Sequence, residues 1–262
     1  MKGMLYNNLT QASRKFQYDY IYIDIFFLSL WLGLLIKYKK WNALKFSFIT
    51  GLIVYLIDAV WWWNALAGTR YSPDTYIREY WIGDIEMPHP LGDYLLVKFG
   101  ADFMMTISYS LFAFGWLWIV FDNIRGEKQI NELILFTVFY FCSWIIIPLL
   151  SILLPLNDTI VYTVRHMDTQ FIIWILNVIV GYGTLSLIYG TNIINRKNPK
   201  ILGYVFLIGC LQSFFMEFPL FVFGIRPKDF AFFVFEIFFL FNQGAPYLFI
   251  VVDIILPSLR QD

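Results

Sequence analysis

Charge is scarce in this chain: 15% of its 262 residues are Asp, Glu, Lys or Arg, against roughly 25% in an ordinary soluble domain. With 59% hydrophobic and 21% aromatic residues, that is too little polar surface for a soluble globule. A basic excess is lacking too, because 19 cations balance 19 carboxylates. No nucleic-acid partner is expected, since a basic stripe would be needed to neutralise phosphates. Histidine is nearly absent. His89 and His166 both read as surface positions in loops, and there is no His-Glu-x-x-His pattern or cysteine pair, so no metal centre or other cofactor is expected. The same scarcity leaves Ser108, Ser110, Ser143 and Cys142 without a histidine in their own helices to activate a nucleophile. The last apolar run holds no lysine for a retinal Schiff base. The two cysteines, Cys142 and Cys210, fall inside apolar runs and read as buried free thiols.

What the chain has in quantity is long apolar runs. Seven are near the roughly 20 residues needed to cross a bilayer. The expected spans are 19–36, 42–66, 92–121, 132–154, 168–190, 200–224 and 229–256, each bounded by charge, Pro, Gly or Asn. The fold expected is all-α: a polytopic seven-transmembrane-helix bundle forming one membrane domain over 1–262, with the bilayer as partner and an acidic, aromatic loop at 67–91 that could cap it. The first run meets Lys37, Lys39 and Lys40 instead of a small-residue cleavage site, which reads as an anchor.

Lys37, Lys39, Lys40, Arg125, Lys128, Arg196, Lys197, Lys200 and Arg260 fall on one side of such a bundle. Arg70, Arg78, Arg165, Arg226 and Lys228 fall on the other, with Lys2, Arg14 and Lys15 of the N-terminal segment. The short basic loops favour an extracytoplasmic N-terminus and a cytoplasmic C-terminus. Two sequons, Asn8-Leu9-Thr10 and Asn157-Asp158-Thr159, lie on the extracytoplasmic side in that orientation.

An ionisable group inside a span is a functional candidate by default, since burying it costs several kcal/mol unless it is paired or hydrated. Asp24, Asp58, Asn64, Lys98, Asp102, Glu217, Glu236, Asn242 and Gln243 all come out in the same half of the bilayer. The other half is nearly bare apart from Asp253, as expected of a cavity opening to one face. Helical spacing puts Tyr55, Asp58, Trp61 and Trp62 on one face and turns Trp63 away. Lys98 and Asp102 are four apart and can pair. Gln170, Trp174 and Asn177 share a face, as do Glu236 and Gln243.

Carboxylic acids among aromatic rings are the parts needed to protonate an isoprenoid and guide the cation that results. The same Trp61–Trp63 run is also what an interfacial aromatic belt looks like. The seven helices, the carboxylate followed by aromatics in the second, and the opening stretch Ile23 to Ile36 resemble the integral membrane terpene cyclases of meroterpenoid pathways. The resemblance implies two membrane acids, one in the second helix and one in the seventh. The first falls on Asp58, where that family has glutamate after a tryptophan. At the second, Phe241 to Tyr247 carries no aspartate and Glu236 stands two turns away. The expectation is therefore a membrane enzyme cyclising an isoprenoid or lipid-like substrate. Asp58 is the proton donor, with Glu236, Glu217 or Asp102 as second acid. Asp24, Tyr55, Trp61, Trp62, Asn64, Lys98, Trp174, Asn177, Asn242 and Gln243 are the binding wall. A proton- or cation-coupled transporter and a seven-helix receptor remain alternatives.

Overall fold

The computed structural model describes residues 11–69, 71–126, 129–154, 156–166, 168–191 and 197–259. The Asn8 sequon and Lys2, Arg70, Lys128, Arg196 and Arg260 lie outside the described residues. Among the described residues, seven helices are long and apolar enough to span a membrane: α1 Asp19–Lys37, α2 Trp41–Asn64, α3 Gly92–Arg125, α4 Ile130–Leu153, α5 Gln170–Gly190, α6 Lys200–Val222 and α7 Phe230–Ser258. They match the expected spans to within a few residues.

The helices differ sharply in what surrounds them. The apolar stretch of α3 is 89% buried within the protein, whereas that of α5 is 22% buried. An apolar residue on α5 therefore mostly faces the surroundings, and one on α3 faces other helices. That is why α3 meets large buried rings from both α1 and α4. Trp31 of α1 donates from Nε1 to the Leu111 carbonyl at 2.9 Å and packs edge-on to Phe136 of α4, while Trp116 stacks on Tyr140. Small residues let helices meet closely, as in other membrane bundles. A Cβ at Gly181 of α5 would sit 2.6 Å from Pro246 of α7.

The protein is not wholly α. Four short strands, β1 Gln11–Gln17, β2 Arg78–Ile82, β3 Ile85–Glu86 and β4 Ile160–His166, form an antiparallel sheet in the order β1-β4-β2-β3. The sheet lies at the end of the bundle where α1, α3, α5 and α7 begin. The segments read as an N-terminal tail, a loop and a short connection thus pair with one another. His166 belongs to β4, not to a loop, and shares a 2.9 Å contact with Glu79. His89 is no plain surface residue either, being stacked between Trp63 and Tyr76 at 3.8 and 3.7 Å.

The sheet's register decides which residues face the bundle. Arg78 of β2 lies directly opposite Arg165 of β4, and Ala12 of β1 pairs with Arg165 from the other side, which puts Arg14 on the same face. The cysteines also depart from expectation. Cys142 is exposed, because its side of α4 points out of the bundle, and Cys210 is half-buried, with Asn242 Nδ2 3.2 Å from its sulfur.

Candidate functional site

A cavity of about 620 Å³ lies beneath the sheet, within the size range of small-molecule sites. Its roof carries Arg14 of β1, Arg165 of β4 and Ile77. Its walls come from five helices: Asp58, Trp61 and Trp62 on α2, Met105 and Tyr109 on α3, Gln170, Trp174 and Asn177 on α5, Gln212 and Met216 on α6, and Leu240 and Gln243 on α7. Its lining ends at Ala113, Phe114 and Gly244, near the middle of α3 and α7.

Local backbone irregularity helps to shape this space. Residues Leu56–Trp61, Met104–Ser108 and Glu236–Leu240 are π-helical. Each such turn widens its helix and rotates the residues beyond it, and π-turns occur frequently at functional sites. After the last one, α7 breaks into a turn over residues 241–243. There the amides of Asn177 and Gln243 meet at 3.2 Å across α5 and α7.

Asp58 does reach the cavity, but it is held from above. Its Oδ1 accepts from Arg165 Nε at 3.0 Å and Arg78 Nη1 at 3.1 Å, and its Oδ2 from Arg165 Nη2 at 2.8 Å. Two guanidiniums facing each other across a sheet would repel. The carboxylate between them removes that conflict. Asp102 is likewise committed: Lys98 pairs with it one turn away, and Tyr80 Oη donates to it at 2.6 Å. Lys98 also lies 4.1 Å over the Trp63 ring, so Trp63, on the far side of α2, closes the charged cluster, not the cavity.

The second cluster joins β1, α6 and α7. Glu217 accepts from Arg14 Nη2 at 3.1 Å and Arg226 Nε at 2.9 Å, and Arg226 also pairs with Glu236. Asp58, Asp102, Glu217 and Glu236 therefore gather beneath the sheet, on arginines of the cap and its loops and on Lys98 of α3. Burial pulls the Arg165 guanidinium down to about 10, against the Asp58 carboxylate, and nearby Arg78 and Arg14 push the same way. Burial also opposes the charge on Arg78, and there Asp58 prevails and raises it.

Asp58, Trp61, Trp62, Trp174, Asn177 and Gln243 line the cavity. Glu217, Glu236, Asp102 and Lys98 are engaged in the ion-pair clusters. Tyr55 packs edge-on to Phe99, Asn64 turns back on the Val60 carbonyl, and buried Asn242 accepts from Tyr182 Oη at 2.7 Å. Asp24 stands apart in α1, fully buried, with the Ser108 hydroxyl beside it and neither oxygen in a well-formed hydrogen bond. Because no arginine or lysine forms an ion pair with it among the described residues, Asp24→Asn is expected to change the unfolding free energy by less than about 1 kcal/mol or to stabilise the fold. A thermal melt in nanodiscs checks this, and a loss of several kcal/mol would refute it.

Arg14, Arg78, Arg165 and Arg226 were legible only as topology charges. The β-branched and aromatic residues of Arg78-Glu-Tyr-Trp-Ile82 and of Ile160-Val-Tyr-Thr-Val-Arg-His166 are the signal that could have placed two of them on strands. No group of three or more His, Cys, Asp or Glu suited to a metal occurs among the described residues. Comparison with protein-family models, curated proteins and solved structures returns no match, so the chemistry of this site rests on its own residues.

Proposed function

We propose that this membrane protein takes an isoprenoid or other lipid-like molecule sideways from the bilayer into the cavity, with the molecule's polar end under the sheet. The observation that carries this reading is the flank between α2 and α5. Trp61 is 66% exposed and Ile173 47% exposed, yet both also line the cavity. Helix α5 packs against α7, and the ring pair Trp62–Trp174, 5.7 Å between centroids, spans the space to α2. A chain of methylenes gains by contact with such a wall, while its head meets guanidiniums and amides. In this reading the N-terminus is extracytoplasmic and the cavity lies in the outer half of the bilayer.

A second reading, acid-initiated cyclisation of the bound isoprenoid, draws on Trp61, Trp62 and Trp174, whose ring faces stabilise cations. It requires Asp58 to leave its two guanidiniums before it can carry a proton. The test is native mass spectrometry of the protein in mild detergent, with bound small molecules extracted and identified. A lipid-like species bound to wild type is expected to fall about tenfold or more when Trp62 and Trp174 are both replaced by alanine. Recovery of a rearranged product from wild type would favour the cyclase. An empty wild type, or equal retention by the double variant, would sink the lipid reading.

A further inference from the structure

Among the described residues the buried ion pairs leave one cation over, and it faces the cavity. In the cluster on α6 and α7, Arg14 and Arg226 meet Glu217 and Glu236, two against two. In the cluster on α2 and α3, Arg78, Arg165 and Lys98 meet Asp58 and Asp102, three against two among the described residues. Lys98 occupies Asp102, so Arg78 and Arg165 share a single carboxylate. Of those three cations Arg165 alone lines the cavity, and its side chain is 16% exposed where those of Arg78 and Lys98 are 2% and 1%. It gives Nε and Nη2 to Asp58, which leaves Nη1 to donate elsewhere.

A second observation points to the same place. Gln170, 4% exposed and part of the lining, makes no side-chain hydrogen bond among the described residues, and its Oε1 is buried. A buried amide without a partner costs free energy, and its two N–H donors can turn toward an acceptor in the cavity. Arg14 also lines the roof. A neutral head would leave the surplus charge in place, and a cationic head would add to it.

Building on the lipid-like reading above, we infer that the cavity selects an amphiphile with an oxyanion head, a carboxylate or phosphate ester, seated against Arg165, Gln170 and Arg14. Its chain lies along Trp61, Trp62 and Trp174 toward the gap between α2 and α5. The low-lying guanidinium of Arg165 fits this, because a bound anion supplies the negative charge that burial and the neighbouring arginines make it lack.

The test titrates the protein in zwitterionic nanodiscs with hexadecanoate, hexadecyl phosphate, hexadecanol, hexadecylamine and inorganic phosphate, following tryptophan fluorescence. The two anionic amphiphiles are expected to bind about tenfold or more tighter than hexadecanol, the usual scale of a hydrogen bond to a charged group. In Arg165→Gln that preference should largely vanish, while Arg165→Lys should retain part of it. Should Arg165→Gln fail to fold, Gln170→Leu, which disturbs no ion pair, is expected to lower the preference several-fold.

Equal binding of hexadecanol, or tighter binding of hexadecylamine, would overturn the inference about the head and leave the lipid reading standing. Failure of every amphiphile to bind would overturn both. Inorganic phosphate binding as tightly as hexadecyl phosphate would show an anion site that reads no chain, which also overturns the inference.

Discussion

Asp58→Asn is expected to destabilise the fold by about 3 to 5 kcal/mol, the scale for removing one partner of a buried charge pair. Asparagine keeps one acceptor oxygen but no charge, so Arg78 and Arg165 would face each other across β2 and β4 with no negative charge between them. The loss should be partly relieved in Asp58→Asn/Arg165→Gln, where one of the two stranded cations is also gone. A double-mutant cycle on the unfolding midpoint in nanodiscs measures this. An unchanged midpoint for the single variant would show that the guanidiniums do not depend on Asp58. The expectation also bears on any activity assay: a dead Asp58→Asn protein would not by itself identify a proton donor, because the same substitution loosens the roof of the cavity.

The second large effect is expected at Glu217, the most shared acid of the other cluster. Glu217→Gln leaves Arg14 with the Tyr109 ring, 4.9 Å away, in place of a carboxylate, and leaves Arg226 with Glu236 as its one carboxylate among the described residues. Both arginines are buried, so a loss of about 3 kcal/mol or more is expected. The damage should be local to the join between β1 and α6. Hydrogen exchange is expected to rise first at Lys15, whose N–H bonds the Ile225 carbonyl at 2.9 Å, and along the β1–β4 ladder. Faster exchange spread evenly over the sheet and the helices, or none at all, would contradict this assignment. Set beside the small effect expected for Asp24→Asn, these two substitutions separate acids that hold the cap from an acid that pairs with no cation among the described residues.

The burial of both clusters explains why a chain so poor in charge keeps these residues inside its spans. The sheet presents Arg14, Arg78 and Arg165 to the bundle, and the helix ends present Asp58, Asp102 and Glu217 to the sheet. Pairing them docks the cap in one register, because a slip of one residue on β4 would turn Arg165 to the outer face. A polar roof over an apolar cavity is the result, and the proposed ligand site is its lower surface.

Much of this protein was legible from sequence alone. Long apolar runs are a strong signal because the bilayer sets their length, so the seven spans could be read directly, and with them the end of the bundle toward which Asp58, Asp102, Glu217 and Glu236 lie. Helical spacing also placed Gln170, Trp174 and Asn177 on one face, and that face lines the cavity. Only the tertiary structure decided what each acid meets. Spacing fixes neighbours three or four residues apart and found Lys98 with Asp102. The partners of Asp58 come from positions 78 and 165, and that of Glu236 from a loop at 226. Strands of seven residues or fewer leave little mark between spans three times as long, so the sheet that carries those arginines had no comparable signal. Its register, which no local pattern encodes, decides that Asp58 meets Arg78 and Arg165 and that Glu217 meets Arg14.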